Sequence, residues 1–180
     1  MAFFLHCHFS SAQKIKIEDQ GPEVGSMFPD FEYETLDGEK VALGSLSDKV
    51  VVINTWFVGC SGCKVEEPYL AKLSEEYKDN DRVAFIALAM SSPNKIQRYL
   101  ERNGDYGYQQ VSVPRKEILE KYRVVISPSH FIVKNGVLIA KYILRKPFAK
   151  STTKTFRFHY CNATEMLVKI GTENNAFEDV

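Results

Sequence analysis

The chain has 180 residues, 44% of them apolar and 26% charged, the composition of one ordinary globular domain rather than of a disordered segment. Lys+Arg and Asp+Glu both number 23 and the formal net charge is zero, which argues against a nucleic-acid binder that holds phosphates through a basic excess. No run of ~18 uncharged apolar residues is present, so no transmembrane helix is predicted, and four cysteines are too few for a disulfide scaffold.

Ala2 to Phe9 reads A-F-F-L-H-C-H-F and leads into Ser10-Ser11-Ala12-Gln13. An apolar run ending in small residues has the form of the tail of a secretory signal, cut after Ala12. Residues 1–20 are therefore expected to be a signal remnant or disordered, and the protein to be exported. Cys7 follows His6 rather than a small residue, so a lipoprotein anchor is a poor reading and a dispensable terminal thiol a better one.

From Gly25 onward the order of elements is legible. Phe31 to Thr35 alternates apolar and polar residues, Asp37-Gly38 suits a tight turn, and Val41-Ala42-Leu43 follows, which together predict a β-hairpin. Val50 to Trp56 is a continuous run rich in β-branched residues, the mark of a strand buried on both faces. A helix should come next, with Val65, Tyr69, Leu70, Leu73 and Tyr77 on its apolar face and a kink near Pro68. Asp79-Asn80-Asp81 turns the chain into a second buried strand, Val83 to Met90. Ser92 is placed to cap a helix with Pro93 in its first turn, and Gly104 to end it. Gln110 to Val113 reads as a short edge strand and Arg115 to Tyr122 as a short helix. His130 to Val133, Asn135-Gly136 and Val137 to Ala140 form the clearest hairpin of the chain. Strands joined through helices run parallel, so the fold class is α/β with a mixed sheet.

The last stretch is less regular. Lys141 to Arg157 carries six basic residues and no acidic one, a solvated face on the plainest reading. Phe156, Phe158 and Tyr160 alternate as in a strand, and Asn162 would cap a helix through Met166, Leu167, Val168 and Ile170. The expected organisation is one domain over 21–172, with 173–180 frayed.

The chemistry concentrates at Cys60-Ser61-Gly62-Cys63, directly after a buried strand and at the opening of a helix. A thiol at a helix N-terminus meets unpaired N–H groups and the positive end of the macrodipole, which stabilise a thiolate, the species that attacks disulfides. The second thiol, one turn on, is placed to attack the resulting mixed disulfide. Half a zinc site is the competing reading, and neither a second C-x-x-C nor an H-x₃₋₅-H follows to complete it.

The segment Asn54 to Pro68, N-T-W-F-V-G-C-S-G-C-K-V-E-E-P, resembles the active-site segment of thioredoxin-fold proteins. It is most similar to the TlpA/ResA-type thiol–disulfide oxidoreductases of bacterial envelopes, relatives of the alkyl hydroperoxide reductase/thiol-specific antioxidant superfamily. Gly25 to Phe31 with Asp37-Gly38, and Tyr122, Val124, Ser127-Pro128 and Asn135-Gly136, resemble the flanking motifs, so the likeness covers roughly Gly25 to Leu144. It implies a thioredoxin-like fold with a mixed central sheet flanked by helices and an N-terminal hairpin extension. It implies Cys60 as nucleophile, Cys63 as resolving thiol, and Pro128 as a cis-proline beside the disulfide. Glu66, three residues after Cys63, matches a glutamate that would tune the thiols and carry the resolving thiol's proton; a solvated helix glutamate is its rival. Trp56, Gly59, Ser127 and Ser129 would line the substrate site. Asn54 stands where thioredoxin has a buried aspartate, and an amide cannot act as a base. Gly59 stands where the family has Trp, which would widen the substrate site.

The resemblance further implies protein thiol and disulfide substrates, recharging by an upstream membrane dithiol reductase, and a place in the periplasm or cell envelope. A monomer is expected, with no organic cofactor and no metal, because the dithiol carries the electrons. A different class stands as the alternative: a copper-binding chaperone on the same fold, its Cu(I) held by Cys60, Cys63 and His130. A peroxiredoxin needs P-x-x-x-T-x-x-C, and Ile53 stands at that proline's place relative to Cys60.

Overall fold

The computed structural model describes residues 19–143, and within them the elements follow in the predicted order. Strands β1 (Glu32–Glu34) and β2 (Lys40–Ala42) form an antiparallel hairpin with Tyr33 opposite Val41. A 3₁₀ turn, Leu43–Leu46, leads to β3 (Val50–Trp56), and α1 (Ser61–Glu76), β4 (Val83–Ala89) and α2 (Pro93–Asn103) follow. The order closes with β5 (Gln109–Ser112), α3 (Arg115–Tyr122), β6 (Ser129–Lys134) and β7 (Val137–Ile143). The segment holding Cys7, the residues beyond Ile143 with Cys161, the expected strand at 156–160 and the expected helix from Asn162 lie outside the described residues.

The main sheet has the order β5-β4-β3-β6-β7. β3 runs parallel to β4 and antiparallel to β6, so the sheet is mixed. All seven residues of β3 are buried, which its run of Val and Ile anticipates: each such side chain fully removed from water contributes about 1.5–3 kcal/mol. Alternate residues feed two cores. Val50, Val52 and Trp56 pack with Ile132, Leu70, Leu73 and Ile96 on the face carrying α1 and α2. Val51, Ile53, Phe131 and Val133 pack with Phe28, Phe31, Ile118 and Tyr122 on the face carrying α3 and the N-terminal hairpin. The hairpin is tied down by the Tyr33 hydroxyl, which bonds Glu117 at 2.5 Å and the Tyr122 hydroxyl at 2.8 Å.

Three local expectations need correction. Ser92 occupies the N-cap position of α2, yet its hydroxyl makes no capping bond; its carbonyl instead accepts from the N–H groups of Lys95 and Ile96. The buried face of α1 is Cys63, Glu66, Leu70, Leu73 and Ser74, whereas Val65 is 47% exposed. Counting Val65 into the stripe turns the helix by about 100° per residue and misplaces its inner face. Gln20, the last residue of the segment expected to be a signal remnant or disordered, is packed into the domain. Its Oε1 accepts from the N–H groups of Val125 at 2.8 Å and Ile126 at 2.9 Å, and its Nε2 reaches the Ser129 hydroxyl at 3.5 Å.

Candidate active site

The path from β3 into α1 builds the site. The chain leaves the sheet at Trp56, where Met90 N–H donates to the Trp56 carbonyl, and Val58 N–H bonds the Ser91 hydroxyl at 3.0 Å. Gly59 then adopts φ +97°, a conformation that a side chain resists, while a Cβ there would meet nothing within 4 Å. Gly59 thus makes the turn that sets Cys60 at the helix start, a conformational reason for glycine beside any widening of the substrate site.

Cys60 is the N-cap of α1, with its Sγ accepting from the Cys63 N–H at 3.1 Å. The two cysteines form a disulfide with their Cα atoms 5.3 Å apart. Both are buried, Cys60 at 8% and Cys63 at 5% exposure. Their asymmetry lies in hydrogen bonding rather than in exposure, since the backbone N–H at the helix start points at the first sulfur.

The second wall comes from β6. β3 and β6 pair with Thr55 opposite Ser129 and Asn54 opposite His130, so the residues preceding β6 reach the same end of the sheet from which β3 leads to Cys60. The Ser127–Pro128 bond is cis, as the resemblance implies. Pro128 is buried. The Ser127 hydroxyl oxygen is buried with no hydrogen-bond partner among the described residues.

The residues named from sequence as substrate contacts divide. Gly59 is exposed and Ser127 half-buried. Trp56 is 1% exposed, its indole N–H donating to Gln110 Oε1 at 3.1 Å and its ring packed 5.3 Å from that of Tyr99. Ser129 is fully buried, and its hydroxyl donates to the Ile126 carbonyl at 2.8 Å. Trp56 and Ser129 are thus packed into the walls behind the site.

Glu66 is not a solvated helix glutamate. It is 5% exposed on the same face of α1 as Cys63, and its Oε2 lies 2.8 Å from Nε2 of His130, which is itself 3% exposed. The other ring nitrogen, Nδ1, lies 3.3 Å from the Asn54 amide nitrogen, and the Tyr106 hydroxyl reaches Asn54 Oδ1 at 3.5 Å. A three-ligand copper site would need His130 to turn a nitrogen toward the sulfurs, and both of its nitrogens are engaged elsewhere. Among the described residues no group of three His, Cys, Asp or Glu side chains is arranged to hold a metal. The copper alternative is accordingly not favoured. Glu67 is half-buried and accepts a bond from the Tyr99 hydroxyl at 2.7 Å. Burial holds its carboxyl above the ordinary glutamate range, against smaller opposing pulls from Tyr99 and Lys64.

Sequence reasoning missed the link between Asn54, His130 and Glu66, although strand parity carries it. Asn54 shares parity with Val50, Val52 and Trp56, and His130 with Ile132, all residues of the face covered by α1. It also missed Gln20, for which no local pattern gives a signal.

Comparison with known proteins agrees with this geometry. The chain is 31% identical over 124 residues to the thioredoxin-like protein YneN of Bacillus subtilis, covering 67% of this chain and 72% of that one. It is 27% identical over 132 residues to the thiol-disulfide oxidoreductase ResA of Bacillus thuringiensis, covering 73% and 76%. Among solved structures, it resembles the thioredoxin domain of a thiol-disulfide oxidoreductase from Bacteroides vulgatus, with a TM-score of 0.60, 28% identity, and coverage of 68% of this chain and 89% of that one. A thiol:disulfide interchange protein from Bacteroides sp. matches with a TM-score of 0.58 and 29% identity over 66% of this chain and 80% of that one. The fold is thus thioredoxin-like, and with the AhpC/TSA family model matching residues 24–141, the chain belongs to the AhpC/TSA family.

Proposed function

We propose that this protein is a thiol–disulfide oxidoreductase that reduces disulfides in other proteins through the Cys60–Cys63 couple. The observation that carries the reading is the disulfide at the first turn of α1, with the Cys60 sulfur accepting a backbone N–H at 3.1 Å. In the reduced protein the same N–H and the helix dipole stabilise a Cys60 thiolate. That thiolate attacks a substrate disulfide, forms a mixed disulfide and expels one substrate thiolate. Cys63 loses its proton and attacks the Cys60 sulfur, which restores the Cys60–Cys63 disulfide and expels the second substrate thiolate. Two electrons pass from the protein to the substrate.

Cys60, Cys63, Glu66 and Pro128 are the residues assigned to this chemistry: nucleophile, resolving thiol, proton acceptor and backbone edge for the substrate chain. Gly59 and Ser127 lie at the rim where that chain would rest. Recharging by a membrane dithiol reductase, a place in the cell envelope and a monomeric state complete the proposal, as does a single domain over 20–172, its start moved back from 21 to take in Gln20. The form of residues 2–13 supports the place in the cell envelope. Among the described residues no helix is long and apolar enough to cross a membrane. The peroxidase chemistry for which the family is also named is not proposed, because Ile53 stands where its motif requires proline.

The test is turnover of a protein disulfide by the reduced full chain. Cys60→Ser should abolish it. Cys63→Ser should form a stable adduct through Cys60 that a reductant releases. Turnover by Cys60→Ser, or an adduct through Cys63 alone, would overturn the reading.

A further inference from the structure

A carboxylate on the inner face of a helix is expensive unless it is hydrogen-bonded. Among the described residues no lysine or arginine is buried, so Glu66 meets no cation in the interior. Its partner is His130, brought to it from the opposite layer by the register of β6 on β3.

The direction of the hydrogen bonds can be worked out from donor and acceptor capacity. The Tyr106 hydroxyl donates to Asn54 Oδ1, which turns the Asn54 NH₂ toward His130. An amide NH₂ is a donor only, so His130 Nδ1 accepts, and the ring proton resides on Nε2. Nε2–H then donates to Glu66 Oε2 at 2.8 Å. Three donors in series point one way and end on one carboxylate oxygen. Residues 63 and 66 are three apart on the helix and share its buried face, so the carboxylate stands one turn from the resolving thiol. The other titratable groups that face this pair are Cys60 and Cys63 from the start of α1, Tyr106 and Tyr108 from the segment entering β5, and Tyr142 opposite His130 on β7.

We infer that His130, with its tautomer set by Asn54, is a positioning residue that holds Glu66 where it takes the proton of Cys63 as the mixed disulfide is resolved. This rests on the dithiol reading above. In the step, the Cys63 S–H bond breaks and its proton passes to the Glu66 carboxylate. The Cys63 sulfur bonds the Cys60 sulfur, the bond between Cys60 and the substrate sulfur breaks, and the substrate leaves as thiolate with that electron pair. His130 transfers nothing itself: its Nε2–H fixes one carboxylate oxygen and orients the other.

The experiment mixes the reduced full chain with dithiobis-nitrobenzoate in a stopped-flow instrument. One thionitrobenzoate is released when Cys60 attacks and a second when Cys63 resolves the adduct. His130→Leu should slow the second release on the order of ten- to a hundredfold, the worth of one hydrogen bond to a charged group, and leave the first unchanged. The double variant should be no slower than Glu66→Gln alone. His130→Gln, whose amide still donates, should recover most of the rate. Should His130→Leu fail to fold, Asn54→Leu frees the tautomer without touching Glu66 and should slow the second phase in the same way. An unchanged second phase in His130→Leu, equal slowing of both phases, or a Gln variant as slow as Leu would each overturn the inference. Absence of any second release from the parent protein would instead sink the dithiol reading, and a Glu66→Gln variant at the parent rate would remove the proton-acceptor role and with it the role of His130.

Discussion

Gln20 offers the most direct check on how the loop leading to Pro128 is held. Its side chain is fully buried, and its single Oε1 satisfies two adjacent backbone N–H groups, those of Val125 and Ile126, at 2.8 and 2.9 Å. Gln20→Ala leaves both donors without an acceptor. Each is only partly buried, so the lower half of the usual penalty applies, about 1–1.5 kcal/mol apiece. The bond from Nε2 to Ser129 is long at 3.5 Å and adds little. The expected loss is therefore about 2–3 kcal/mol, which for a domain of this size lowers the midpoint of thermal unfolding by roughly 10 °C. Urea denaturation of the full chain, parent against variant, measures it, with an unchanged dependence on urea showing that the comparison is fair. A loss under about 0.5 kcal/mol, the range of an ordinary surface substitution, would refute the clamp.

Tyr108 carries a buried hydroxyl with no partner among the described residues, so Tyr108→Phe is expected to leave stability unchanged or raise it by about 1 kcal/mol; a clear loss in urea denaturation would reveal a bonded hydroxyl. Burial raises the Glu67 carboxyl above its ordinary range, so folding favours its protonated form, and that contribution is present below the unfolded value and lost as pH rises through the folded one. Glu67→Gln should accordingly raise the urea midpoint slightly at neutral pH and not at all well below the usual carboxylate range, and a lower midpoint at neutral pH would mean that the bond from Tyr99 outweighs burial. Alkylation of the reduced protein near neutral pH should label Cys60 before Cys63, because the two sulfurs are almost equally buried and only the first accepts the N–H at the helix start; labelling of Cys63 first would reverse the assignment of nucleophile and resolving thiol.

The elements that sequence disclosed are those whose causes are local. Val50 to Trp56 needs only its own β-branched run to be read as a buried strand, and Asn135-Gly136 needs only its turn chemistry, seen in the positive φ of both residues. The C-x-x-C after that strand needs only the order of elements around it. What stayed hidden is polar and non-local. Gln20 is joined to Val125 and Ile126 across more than a hundred positions, and no periodicity links them. A stripe counted from apolar residues takes in Val65, which is exposed, and passes over Glu66 beside it, which is buried. That Asn54 cannot act as a base is legible from its residue type alone; what its NH₂ does to a neighbouring imidazole is not.

The buried acid and imidazole are not scattered through the interior. Glu66 and His130, with Asn54 and Gln110, lie on the α1 side of the sheet or at its margin, while the α3 side buries the uncharged Gln20, Thr55 and Ser129 among Val51, Ile53, Ile118, Phe131 and Val133. Stability does not require this asymmetry. A buried pair such as Glu66–His130 gains from its hydrogen bond little more than it loses on leaving water, and apolar residues of similar volume commonly do as well or better. The α3 face shows that this sheet can be covered without such a pair. The polar groups stand instead under the helix that presents the dithiol, in a chain of donors that ends one turn from Cys63. Their placement follows the site rather than the core, which is why a reading of the core alone passes over them.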